Sequence, residues 1–188
     1  MTSPLENMDD GALIASFLRG GEAAFEVLYR RHRGALYAFL THLAGDSAEA
    51  DEVFSETWLR ALEKLPKYRD DGKFDAWLFR IGRNYYLDRC RARQRRRNVS
   101  LDDEMPPPVP ANASSEPQMQ SEAKETGELI SAALRKLPAE QREVFLLRQQ
   151  DVAFKEIAAI QRTSVNTVLS RMQYALRALR RELAEIDH

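Results

Sequence analysis

Apolar residues return every three or four positions through most of this chain, which is the spacing of amphipathic α-helices. In the first half the pattern predicts four helices, separated by Gly20-Gly21, by Gly45, and by a polar loop that follows Pro66. The chain has few β-branched runs, which argues against a sheet. The predicted helices cover about residues 10–19, 22–43, 46–65 and 74–97.

The helical spacing returns after a long polar gap. Leu137-Pro138 opens one helix, since proline suits a first turn, and Ser164 is a good N-cap for the last helix. The tight turn at 161–163 and the small Ala158 predict a helix-turn-helix in this half. The predicted helices cover about 129–134, 137–147, 154–160 and 164–184, and the last should bury Val165, Val168, Met172 and Ala175.

The gap itself carries one basic and six acidic residues over 98–127, with five prolines and almost no large apolar side chains. Such a composition cannot offset the entropy of ordering. We therefore expect an all-α protein of two small helical domains joined by a flexible linker, the second containing a helix-turn-helix. The expected boundaries are 1–97, a linker at 98–127, and 128–188.

Charge is uneven along the chain, although the formal net charge is only −1. The segment from Arg80 to Arg97 holds eight arginines and one aspartate, a local charge of +7. A concentrated basic stripe matters more to a polyanion than the total does, so nucleic acid remains a candidate partner.

Several classes of function find no support in the residues. Cys90 is the only cysteine, and His32, His42 and His188 lack the spacing of metal ligands, so no metal site is expected. There is no phosphate-binding glycine loop, no catalytic triad in a defensible order, and no run apolar enough to cross a bilayer. The first ten residues are acidic, unlike a signal peptide. These features predict a cytoplasmic protein that is not an enzyme and needs no cofactor.

The last predicted helix leaves short polar groups and arginines outward, which suits contacts to base edges and phosphates. An ordinary helical hairpin with a solvated face would show the same pattern, and we favour DNA binding over it. The candidate DNA-contacting residues are Ser164, Asn166, Thr167, Ser170, Arg171, Gln173, Tyr174 and Arg177.

A second candidate lies at 74–86, where aromatic residues alternate with arginines, a composition that suits single-stranded nucleic acid. Trp77 and Ile81 follow the helical spacing of a core stripe, so we assign them to packing. A third feature is a charged, mostly acidic face formed by Asp51, Glu52, Glu56 and Arg60, which alone indicates only a surface helix.

Taken in order, these segments resemble the signatures of the extracytoplasmic-function (ECF) class of bacterial RNA polymerase sigma factors. The resemblance covers both predicted domains. It rests on Asp51-Glu52 through Trp58-Leu59-Arg60-Ala61, Trp77-Leu78-Phe79-Arg80-Ile81 with Asn84 and Asp88, Leu137-Pro138, Arg142-Glu143-Val144-Phe145, Glu156-Ile157-Ala158, and Thr167-Val168 with Ser170-Arg171.

The resemblance implies a role in transcription initiation. The first domain would bind the β′ clamp of core RNA polymerase, which also contains β, through Asp51, Glu52, Glu56 and Arg60. It would also open the −10 promoter element and capture a base, while the helix from Ser164 would read the −35 element; an anti-sigma factor is a further expected partner. The residues implied for −10 DNA are Tyr68, Arg69, Asp70, Lys73, Phe74, Phe79, Arg80, Arg83, Asn84 and Tyr86.

The chain departs from the family pattern in the second domain. Arg162 stands where the turn usually has glycine, so the turn must avoid a positive φ or accept strain. Leu169, Tyr174 and Leu176 stand where basic residues are frequent, which leaves the −35 sequence open. We hypothesise that Leu169 and Leu176 form an apolar stripe covered by an anti-sigma partner or by the first domain in a closed form.

Two alternatives remain open at this stage. A conventional helix-turn-helix regulator would bind duplex DNA without polymerase. A protein-interaction adaptor would bind only polypeptide and show no salt-dependent affinity for DNA.

Overall fold

The computed structural model describes residues 4–99 and 121–184, which form eight α-helices and two short 3₁₀ helices. No strand occurs in these two ranges, so the all-α prediction is confirmed. The α-helices are α1 (Asp10–Leu18), α2 (Glu22–Ala44), α3 (Ser47–Lys64), α4 (Phe74–Val99), α5 (Ser121–Lys136), α6 (Ala139–Gln149), α7 (Phe154–Gln161) and α8 (Val165–Ala184), and the 3₁₀ helices are Pro4–Asn7 and Leu65–Lys67.

Local sequence sets most of the helix ends. The Asp46 carboxylate accepts a hydrogen bond from the Glu49 amide at 2.8 Å and caps α3, while the Ser164 hydroxyl accepts one from the Thr167 amide at 3.1 Å and caps α8. Gly45 ends α2 in the left-handed conformation, with φ of 74°. Residues 121–127, which we had predicted as linker, form the first turns of α5. The remainder of the predicted linker, apart from 98–99 at the end of α4, lies outside the described residues.

In the first half, α2 packs against α1, α3 and α4, and α3 packs against α4. The centre of this core is apolar and fully enclosed. Gly82 lets α4 come close to its neighbours, since a Cβ there would lie 3.0 Å from Thr57 Oγ1 and 3.1 Å from Leu40 Cδ2. The largest enclosed side chains are Leu13, Leu28, Leu36, Phe39, Leu40, Leu65, Phe74 and Leu78.

In the second half, α8 packs against α5, α6 and α7. Val168, Ala175 and Leu179 form the buried stripe of α8. Val165, which the pattern had placed in this core, is 39% exposed, because it lies in the first turn of the helix and to one side of that stripe. Met172 is half-buried against the core.

The two halves also contact each other. Helix α4 packs against α7, and α2 packs against α5 and α6. The chain is therefore in a closed arrangement. In it α4, which carries most of the residues predicted to contact −10 DNA, faces α7, the first helix of the helix-turn-helix.

Candidate nucleic-acid interface

The loop before α4 is ordered by Asp70 and by aromatic packing. One Asp70 oxygen accepts hydrogen bonds from the Tyr68 hydroxyl and from the Gly72 amide, both at 3.1 Å, and Gly72 has a left-handed φ of 73°. Burial and this bond to Asp70 raise the pKa of the Tyr68 hydroxyl, which stays protonated. The Tyr68 ring packs against that of Trp77, with centroids 4.6 Å apart. Asp70 thus holds the loop in its conformation through these two hydrogen bonds, and Tyr68 and Trp77 form one aromatic surface.

This aromatic surface lines a cleft of about 360 Å³. The first domain contributes Arg69, Lys73 and Arg80 around Tyr68 and Trp77. Flat aromatic rings surrounded by cations can stack a base and neutralise its phosphates. The opposite wall comes from α7 and consists of Glu156, Ala159 and Ile160.

Trp77 was assigned to the core from its spacing, and the structure leaves it half-buried with a face in the cleft. Ile81, assigned in the same way, is buried. Helical spacing alone does not separate these two residues, because Trp77 lies at the edge of the buried stripe and its partner Tyr68 comes from the preceding loop.

The structure separates the residues predicted for −10 DNA into three groups. Phe74 and Phe79 are each 2% exposed and pack in the core, Phe79 with its centroid 5.2 Å from that of Phe39, so we leave both out of the contact set. Arg83 is buried against the second domain. The exposed or half-buried residues are Tyr68, Arg69, Asp70, Lys73, Arg80, Asn84 and Tyr86.

A second, larger cleft of about 610 Å³ continues along α4. Asp88 is the only acidic residue among those that line it in the described part of the chain. Cations from both domains surround it, which makes the cleft attractive to a polyanion. These cations are Arg60, Lys64, Arg80, Arg83, Arg91 and Arg162.

On α8, the residues predicted to contact duplex DNA are not equally free. Ser164 and Thr167 use their polar groups at the helix start, their hydroxyl oxygens lying 2.9 Å apart. Arg171 donates from Nη1 to Gln161 Oε1 at 2.8 Å. The exposed residues of the predicted set are Ser164, Asn166, Ser170, Gln173, Tyr174 and Arg177.

Leu169 lies among these polar residues and is 39% exposed, while Leu176 is half-buried. The first domain does not cover Leu169 in the closed arrangement. The hypothesis that an outside partner covers this stripe stays a prediction.

On the acidic face of α3, Asp51 and Glu52 are exposed and Glu56 and Arg60 are half-buried, and all four side chains have polar partners within the first domain. Asp51 accepts from the Tyr37 hydroxyl at 2.8 Å, and Glu52 pairs with Arg89 of α4. Glu56 pairs with Arg60 at 2.7 Å, and the Arg60 guanidinium lies 4.4 Å from the centre of the Tyr85 ring. Leu59, which is absent from the predicted contact residues, is 57% exposed on this charged face.

No set of three or more His, Cys, Asp or Glu side chains within 4–99 and 121–184 is arranged to hold a metal ion. None of the helices in those ranges is both long enough and apolar enough to span a bilayer.

Comparison with known proteins places both halves in families. A model described as Sigma-70 region 2 matches residues 28–96, and one described as Sigma-70, region 4 matches residues 127–179. The chain is 31% identical to the ECF RNA polymerase sigma factor SigE of Mycolicibacterium smegmatis, over 88% of this chain and 65% of SigE. It is 33% identical to the ECF RNA polymerase sigma factor SigL of Mycobacterium tuberculosis, over 87% of this chain and 91% of SigL.

Among solved structures, CnrH in complex with the cytosolic domain of CnrY is similar, with a TM-score of 0.67 and 26% identity. The similarity covers 95% of this chain and 99% of that one.

Proposed function

Because the chain belongs to the ECF class of RNA polymerase sigma factors, we propose that its first domain binds core polymerase and −10 DNA and that its second domain reads the −35 element. The observation that carries this proposal is the Tyr68–Trp77 surface with its surrounding cations, in a chain that also presents a helix-turn-helix. The proposed division is 1–97 and 128–188, with 98–127 as a connecting segment.

The −10 surface, defined here as Tyr68, Arg69, Lys73, Trp77 and Arg80, suits a strand that has left the duplex. Opening a base-pair step costs about 1.4 kcal/mol of stacking. Stacking a base on an aromatic side chain returns about 1–3 kcal/mol. One or two captured bases can start a bubble and cannot sustain it, which explains why the chain would need core polymerase.

The proposed polymerase contact, here called the α3 face, consists of Asp51, Glu52, Glu56, Leu59 and Arg60. An apolar side chain surrounded by charges is typical of an interface centre with a polar rim. The exposure of Asp51, Glu52 and Leu59 in the closed chain supports direct access of polymerase to this face.

The proposed −35 surface is the outward face of α8. Amide and hydroxyl groups of Asn166, Ser170 and Gln173 can read base edges in the major groove, and Arg177 can reach a phosphate or guanine. Such a factor acts with polymerase in the cytoplasm and has no catalytic role of its own. By analogy with CnrH, whose structure contains the cytosolic domain of CnrY, we also propose a protein partner that regulates the chain.

The decisive experiment adds the purified chain to core RNA polymerase and genomic DNA and sequences the 5′ ends of new transcripts. We expect starts preceded by a shared pair of −35 and −10 elements. Duplex binding without any effect on core polymerase would favour the helix-turn-helix regulator instead. The absence of both core binding and salt-dependent DNA binding would favour the adaptor.

A further inference from the structure

A buried ion pair joins the two domains. Arg83 of α4 donates from Nε to Glu143 Oε2 of α6 at 2.8 Å, and the two side chains are only 11% and 3% exposed. Arg83 Nη1 also donates to the Ile160 carbonyl at the end of α7, at 3.3 Å. Every one of these bonds crosses from the first domain to the second.

The same carboxylate is shared with the helix-turn-helix. Gln161 donates from Nε2 to Glu143 Oε2 at 2.8 Å, and its own Oε1 accepts from Arg171 Nη1 at 2.8 Å. Glu143 therefore links a residue predicted to contact −10 DNA, Arg83, to one predicted to contact −35 DNA, Arg171. While these bonds persist, the Arg83 guanidinium is held by the second domain and is not free for phosphate, whereas Arg171 engages Gln161 through Nη1 alone.

The closed arrangement also covers the −10 surface. Glu156, Ala159 and Ile160 of α7 form the facing wall of its cleft. Glu156 pairs with Lys73 at 3.1 Å, and its carboxylate would repel an approaching phosphate. In contrast, the α3 face and the outward face of α8 remain exposed.

From this geometry we propose that Glu143 holds the chain in a closed state that blocks capture of −10 DNA while leaving the polymerase and −35 surfaces accessible. The inference rests on the proposed function, because it takes the covered surface to be the −10 surface. Opening removes α7 from the cleft and frees Arg83 for the captured strand.

Glu143 suits this role because a charged side chain is stable in a buried position only while an opposite charge compensates it. Removing one member of a buried pair leaves the other desolvated and uncompensated, which strongly disfavours the arrangement that buries it. The remaining direct interdomain ion pair in the described residues, Lys73 with Glu156, is more exposed and contributes less.

The test compares Glu143→Gln with Glu140→Gln, a matched loss of charge at an exposed position on the same helix. Small-angle X-ray scattering of the full chain measures closure, and fluorescence anisotropy measures binding of a short, labelled, mixed-sequence single-stranded DNA. If nine chains in ten are closed, opening lowers the apparent Kd about tenfold. We expect E143Q to expand and to gain this affinity, and E140Q to match the wild type.

Arg83→Gln releases the same contact from the first domain, and only its radius of gyration is used because Arg83 is itself a proposed DNA contact. If circular dichroism shows that E143Q has lost helix, the radius of gyration of Arg83→Gln replaces that of E143Q as the test of closure. Wild-type compactness in both variants overturns the inference. Expansion without tighter DNA binding overturns it too, since the covered surface would then not be the −10 surface. Promoter-specific transcription by the wild-type chain with core polymerase shows in either case that the proposed function stands.

Discussion

At the scale of single residues, the turn between α7 and α8 depends on an arginine in a left-handed conformation. Arg162 has φ of 53° and ψ of 49°, and its amide and that of Thr163 both donate to the Ala158 carbonyl. The sequence predicted that the turn must avoid a positive φ or accept strain, and the structure shows the second. A side chain in this region costs about 1–2 kcal/mol.

Arg162→Gly should therefore raise the free energy of unfolding of the second domain by about 0.5–1 kcal/mol, after the greater entropy of glycine in the unfolded chain is subtracted. Urea denaturation followed by circular dichroism measures the change. Arg162→Ala is the control, since it removes the same charge and keeps the strain. Equal stabilisation by both variants would show that charge, and not backbone strain, is responsible.

Leu59 is a second residue whose single substitution can be tested, because it is apolar, 57% exposed and surrounded by charges on the α3 face. Leu59→Asp should weaken binding to core polymerase at least about tenfold, as expected of a hot-spot residue. Little stability is lost because the side chain is already hydrated. Titration of labelled core polymerase gives the affinity. Leu18→Asp, at an exposed apolar position on α1, should leave it unchanged; an equal loss in both variants would contradict the assignment.

At the scale of elements, helical spacing and capping residues predicted seven of the eight helices within a few residues of their ends. The exception is α5, whose first turns lie in a stretch with few large apolar residues. What the pattern could not supply was the closeness of helix crossings, since that depends on which residues of two different helices face each other.

Two glycines make this point testable, since the same substitution should have opposite effects. A Cβ at Gly82 would press on Thr57 Oγ1, whose hydrogen is donated to the Val53 carbonyl, and on the enclosed Leu40. Gly34, in the middle of α2, has nothing within 4 Å of that position. Gly82→Ala should lower the free energy of unfolding by about 1 kcal/mol through overpacking. Gly34→Ala should raise the free energy of unfolding by about 0.5–1 kcal/mol, because alanine lowers the backbone entropy of the unfolded chain.

Thermal and urea unfolding of the two variants provide the measurement. If Gly82→Ala stabilises the chain as Gly34→Ala does, the α4 crossing is looser than these distances indicate.

At the scale of the whole molecule, closure brings His42 of α2 near the second domain. Burial lowers the pKa of the His42 imidazole below its ordinary value of 6.5, and the guanidinium groups of Arg142 and Arg135 lower it further. Opening removes those cations, so the open chain binds the proton at higher pH than the closed chain. Closure is therefore fully favoured above pH 6.5 and weakens as the pH falls below it.

Small-angle scattering on either side of pH 6.5 should show a larger radius of gyration on the acidic side. His42→Gln, which cannot titrate, should remove most of this dependence. An unchanged pH response in that variant would assign it to other groups.

Apart from the first turns of α5, the sequence by itself determined the helices, the helix-turn-helix and the family, because each of these depends on residues close together in the chain or on motifs in a fixed order. Which side chains are free to meet DNA was decided by the tertiary structure alone. Phe79 is enclosed, and Trp77 shows a face to the cleft. Arg83 is bonded to Glu143 and Ile160, which follow it in the chain by 60 and 77 positions. Burial and pairing of this kind arise between distant segments, and neither periodicity nor local charge carries that information.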